Sequence, residues 1–137
     1  MKHATLLSLL VSLQFLHAEN IKPNELEGNW HLRVMDGYDV RKVRAIIEFK
    51  PEQMRIEGFD ACNRIGGKLK RKPDGNYTAR LLSTRMACRG KSYRFVSKRL
   101  HETFAEGFNI KEEKRYGIDG ITIKSMKHDL FFKRMGE

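Results

Sequence analysis

A β-rich α+β fold is predicted by two observations. Short runs of alternating apolar and polar residues, separated by turn residues, cover most of the chain, and a single apolar stripe at helical spacing lies near residues 92–105. A third observation bounds the answer: 137 residues with no repeat, low-complexity tract or long linker allow one domain with a real core.

The first element is not part of that fold. Residues 1–18 read MKHATLLSLLVSLQFLHA, with Lys2 as a positive start and Ala4 to Leu16 as an apolar run. Ala18 is a small residue at a peptidase cut, followed by polar Glu19 and Asn20. The run is too short, and its far flank too polar, for a good membrane span, so a cleaved secretory signal is expected rather than a retained anchor. Leu16, three residues before the cut, allows it to shift by a residue or two, and no cysteine lies near it to carry a lipid. The expected domain is therefore Glu19 to Glu137, 119 residues, in the periplasm or secreted.

Residues 20–28 are polar, with Pro23 and Gly28, and read as a lead-in. Trp30, Leu32 and Val34 then alternate with His31, Arg33 and Met35, and Asp36-Gly37 turns the chain. Ala45, Ile47 and Phe49 form a second strand ended by Pro51-Glu52, and Met54, Ile56 and Gly58 a third. Gly67 to Lys72 and Tyr77 to Leu82 flank Pro73-Asp74-Gly75-Asn76, a strong hairpin signal: Pro presets one turn dihedral and Gly tolerates positive φ. Period two with turns at this spacing means antiparallel strands.

One helix is expected over residues 92–105, with Ser92 as N-cap and Gly107 as its stop; Tyr93, Val96, Leu100 and Phe104 fall on one face. Strands at 109–117, 121–124 and 130–134 follow, with Gly120 and His128-Asp129 as turns. The core should include Trp30, Leu32, Ile47, Phe49, Val96, Leu100, Phe104, Ile121, Ile123 and Phe132.

Catalytic chemistry is hard to find. His31, His101 and His128 remain after signal cleavage, without HxH or HxxxH spacing, and each reads as a surface or rim histidine. Nucleophile elbows, phosphate loops and dinucleotide fingerprints are absent, and Glu112-Glu113 point to opposite faces of one strand. No enzyme activity, cofactor or metal is expected. The two cysteines, Cys62 and Cys88, sit in no CxxC or Cys/His cluster; in an exported chain an even count suggests one disulfide, against two buried free thiols.

The charge is informative. There are 27 Lys and Arg against 17 Asp and Glu, a net +10, or +9 once Lys2 is lost. In the cytoplasm this would suggest nucleic acid; outside it the polyanions are lipid head groups, lipopolysaccharide and acidic polymers. Lys68, Lys70 and Lys72 share one face of a strand, and Arg80 on the opposing strand should join them. Arg41, Lys42 and Arg44 form a second cluster, and Lys91, Arg94, Lys98 and Arg99 a third. Convergence of two clusters would make an anion-binding surface; dispersal would leave solvated charge. Asn76 in Asp74-Gly75-Asn76-Tyr77-Thr78 matches an Asn-x-Thr glycosylation acceptor on an exposed turn, and also an ordinary turn.

Five features in order resemble the META domain family, and closely its HslJ-like envelope proteins. They are Trp30-His31-Leu32, Cys62-Asn63-Arg64 with Gly67, Thr84-Arg85-Met86-Ala87-Cys88, the helix, and an aromatic last strand Leu130-Phe131-Phe132. The chain departs from the pattern at Ala61, where many relatives have Gly, and at Tyr93-Arg94, where many have an acidic residue. If position 61 needs positive φ, Ala carries a small strain there. The resemblance implies a curved antiparallel sheet, partly closed like a barrel, with one packed helix, and implies no enzyme. The expected function is a non-enzymatic, stress-linked envelope protein that binds an anionic component or a partner protein. The alternative is a carrier holding a lipid or other apolar ligand inside the curved sheet.

Overall fold

The computed structural model describes residues 23–136; the expected signal segment lies outside the described residues. The alternating stretches form strands β1 (Gly28–Met35), β2 (Tyr38–Asp39), β3 (Ala45–Lys50), β4 (Arg55–Asp60), β5 (Arg64–Arg71), β6 (Tyr77–Ala79) and β7 (Leu82–Ser83). Helix α1 (Lys91–Glu106) follows, then β8 (Asn109–Arg115), β9 (Ile118–Lys124) and β10 (Asp129–Arg134). Every strand pair is antiparallel, in the order β6-β5-β4-β3-β1-β10-β9-β8, with β2 added to β1 and β7 to β5.

The sheet curls until its edges touch. Tyr77 on β6 and Phe108 before β8 exchange both backbone hydrogen bonds at 2.8 Å, although they lie at opposite ends of the strand order. The result is a partly closed barrel with α1 packed against it through Val96, Leu100, Thr103 and Phe104, its other face open to solvent. All ten expected core residues are buried, joined by Met35, Ile56, Phe108, Ile110 and Leu130. Phe104 of the helix meets Phe108 at the seam, ring centroids 4.7 Å apart. Aromatic side chains fill the interior of the curl from β1, β3, α1 and β10: Trp30, Phe49, Phe104 and Phe132.

Several expectations are corrected. The lead-in is structured: Pro23–Leu26 form a 3-10 turn, Leu26 is buried, and its carbonyl accepts the Trp30 indole N–H at 2.9 Å. Met54 is not a strand residue; it sits at φ +47 after the turn at Pro51–Gln53, and β4 begins at Arg55. Ser92 is not the N-cap, because the helix starts one residue earlier than expected and Gly90 takes that place, without a side-chain cap. Gly120 is not a turn: that role falls to Tyr116-Gly117, both at positive φ. Gly120 lies inside β9, and glycine is required there because a Cβ would strike the Phe132 carbonyl and the Phe131 ring. His128 is no rim residue; it is 9% exposed, between Asp36 and Glu102. The second hairpin strand splits into β6 and β7, both paired with β5.

Candidate anion-binding surface

Strand register decides which cations meet. Along β5 the inward residues are Ile65, Gly67 and Leu69, so Lys68 and Lys70 face out with Gly66. Arg55 of β4 lies directly opposite Lys68, and Thr78 of β6 opposite Lys70. Arg80 follows β6, its backbone brought close by Gly67, where a Cβ would collide with the Arg80 carbonyl. Arg55, Lys68, Lys70 and Arg80 thus line one hollow of 750 Å³, together with Gly66, Ala79 and Leu82. Its lining holds no carboxylate; of the four cations only Arg55 is ion-paired among the described residues, its Nε 3.9 Å from Glu57 outside the lining. Lys72 does not join them: it lies beyond the end of β5, and its Nζ turns to Asp74, 3.6 Å away.

The second and third clusters converge in part. Arg41 and Lys42 share a groove of 920 Å³ with Lys91 and Ser92 of α1. Lys42 also faces Arg44 and Arg89 across a smaller hollow of 290 Å³ beside Cys62. Arg99 and Lys98 are used elsewhere, on Asp36 at 2.7 Å and Glu102 at 3.8 Å. Asn76 occupies the β5–β6 turn, its N–H donating to Asp74 Oδ1 at 2.9 Å.

The two cysteine motifs form a clasp. Asp60, 1% exposed at the end of β4, accepts the backbone N–H of Cys62 at 2.8 Å and of Asn63 at 2.6 Å. Its other oxygen accepts Ser97 Oγ at 2.9 Å and lies 2.7 Å from His101 Nε2, which ties the loop to α1. Asn63 Oδ1 accepts Thr84 Oγ1 at 3.1 Å and the Met86 N–H, while Thr84 and Arg64 bond both ways. Cys62 and Cys88 are bonded, their Cα atoms 4.8 Å apart. Arg64, Arg85 and Met86 are left facing solvent. Burial alone would raise the Asp60 carboxyl; the hydrogen bonds from His101, Asn63, Cys62 and Ser97 outweigh it and hold it below the usual carboxylate range.

A second clamp was not foreseen. His128 lies between Asp36, 2.8 Å from Nδ1, and Glu102, 2.8 Å from Nε2. Asp36 also accepts the Asp129 N–H at 2.7 Å and Arg99 at 2.7 Å. Burial raises the Asp36 carboxyl, but these donors together lower it. Glu102 and Glu106, one turn apart on α1, place carboxylate oxygens within 4.8 Å of His128, a possible ligand set for a cation. Here those atoms are already engaged, Glu102 by His128 and Glu106 by Lys127 at 3.4 Å. Asp36, Asp60 and Glu102 follow no periodicity, so only tertiary structure reveals them.

A curled antiparallel sheet closed over one helix, with a basic outer hollow and a disulfide-locked loop pair, defines the class. The chain belongs to the META domain family, whose model matches residues 23–134. Among solved structures it is similar to a protein determined by NMR, at 26% identity and TM-score 0.66, covering 83% of this chain and 95% of that one. It is also similar in fold to a protein from Burkholderia xenovorans determined by NMR, at 20% identity and TM-score 0.63, covering 87% of this chain and 92% of that one. No curated protein matches the chain.

Proposed function

We propose that this META-domain chain is an exported, non-catalytic, HslJ-like envelope protein with a stress-linked role that docks on an anionic envelope component. The docking element is the hollow of Arg55, Lys68, Lys70 and Arg80. The observation that carries this reading is the meeting of four cations from neighbouring segments in one hollow without a lining carboxylate. The Cys62–Cys88 bond and the signal-like residues 1–18 support an oxidising compartment outside the cytoplasm. The carrier alternative draws little support from an interior already filled by Phe49, Phe104, Phe108 and Phe132.

The test is cosedimentation with neutral and anionic vesicles at low and moderate salt. Each cation near an anionic surface contributes about 1 kcal/mol, so Lys68→Gln, Lys70→Gln and Arg80→Gln together should weaken binding by roughly 100-fold. Binding should also fall steeply with salt. Equal binding to neutral and anionic vesicles, or a triple variant that binds as well as the parent, refutes the reading.

A further inference from the structure

We propose that the groove between the β2–β3 connection and the start of α1 binds a small amphiphilic anion: one carboxylate or phosphate head on an apolar body. The site is separate from the basic hollow. Lys91 lines the groove and Ala105 the hollow, so they flank opposite ends of α1, about 21 Å apart along its axis.

The size suits a small molecule: 920 Å³ lies in the range of single-ligand pockets. The floor is apolar. Val40 and Val43 are buried side chains that form part of the lining. Tyr38 and Phe95 stand edge to face, centroids 5.4 Å apart, and Tyr38 is 61% exposed. The Arg99 guanidinium lies over the Phe95 ring, 4.0 Å from its centroid, and is itself held by Asp36 at 2.7 Å. The aromatic wall is therefore held in place while leaving a broad ring surface open to a ligand.

The rim is cationic. Lys42 and Lys91 have no ion-pair partner among the described residues. The one carboxylate in the lining, Asp39, is taken by Arg41, which donates from Nε at 3.0 Å and from Nη2 at 2.8 Å. Arg41 is its main partner and Lys42 adds a weaker pull, and one carboxylate against Arg41, Lys42 and Lys91 leaves the rim net positive. A neutral amphiphile would use only the floor, and a compact anion only the rim. A molecule carrying both parts uses the whole groove, which is the basis of its selectivity.

The experiment is a titration of ¹⁵N-labelled protein, followed by backbone amide shifts. The probes are decanoate and monodecyl phosphate, with acetate, octyl glucoside and decyltrimethylammonium as controls, all below their micelle thresholds. Decanoate and decyl phosphate should give saturable shifts confined to residues 38–43 and 91–95. The ratio of the two affinities reports which head group fits better. Acetate should not saturate, and the neutral and cationic amphiphiles should bind at least tenfold more weakly. Lys42→Gln with Lys91→Gln, and separately Tyr38→Ala, should each weaken decanoate about tenfold while the remaining amide spectrum is retained. Lys68→Gln with Lys70→Gln should change nothing. Equal binding of the cationic amphiphile overturns the proposal, as does an unaffected lysine pair. Shifts centred on the sheet interior or on the β4–β6 hollow overturn it too, the latter leaving the docking reading intact.

Discussion

Ala61 shows how much one residue can carry. It sits at φ +83, between the end of β4 and Cys62, in a region where a Cβ is disfavoured. The departure noted in the sequence is therefore a real strain, held by the Asp60 hydrogen bonds on one side and the disulfide on the other. The usual ranking of substitutions should invert here. Ala61→Gly should be close to neutral, since relief of strain offsets the lost methyl burial and the greater freedom of the unfolded chain. Ala61→Val, mild in ordinary extended backbone, should cost about 2 kcal/mol or more because a β-branched side chain fits poorly at positive φ. Urea unfolding of the two variants decides it; a Val variant as stable as the parent removes the argument.

At the scale of elements, the loop pair and the helix are one unit. Asp60 links β4 to α1 through Ser97 and His101, and the Cys62–Cys88 bond closes a loop that spans β5, β6 and β7. With a sequence separation of 26, removing the bond should cost about 3.5 kcal/mol, mostly by freeing the unfolded chain. The measurement is urea unfolding of Cys62→Ser with Cys88→Ser, alongside intact mass after alkylation without reductant. Two alkylated thiols in protein from an oxidising compartment would show that the bond is not made there. The strands and helix were legible because period two and period 3.6 are written in the residues themselves, as in Ala45-Ile47-Phe49 and Val96-Leu100-Phe104. The partners were not. Arg55 joins Lys68 only through the β4–β5 register, and Lys72 leaves because the strand ends one residue before it. Gly120 carries the look of a turn residue, and only the Phe132 carbonyl and Phe131 ring pressed against it explain why a strand position is glycine.

For the whole molecule, two carboxylate clamps hold α1 to the curled sheet, and both respond to acid. Asp36 and Asp60 are held below the usual carboxylate range in the folded protein. An unfolded chain takes up these protons near pH 4, whereas the folded one resists until lower pH. The stability they contribute is therefore complete above about pH 4 and is lost as pH falls through the lowered folded values. Thermal melts should be governed by other groups from pH 7 down to about 5, then drop steeply below 4. Asp60→Asn should be less stable at pH 7 and show a shallower acid drop than the parent. A parent curve that is flat down to pH 2.5 would contradict this.

The strand order has a consequence for the making of the protein. β1 is the first strand in the chain and β10 the last, yet they lie side by side in the middle of the sheet, with Trp30 opposite Arg134. Until β10 is available, β1 has an open inner edge, and β8 and β9 meet the other half of the sheet through the Tyr77–Phe108 bridge rather than through a strand ladder. The sheet is therefore completed by its final segment, across a sequence separation that makes closure slow. The local β3–β4, β4–β5 and β5–β6 hairpins need no β10, so a chain whose last segment is held back keeps an open barrel with β1 unpaired along one edge.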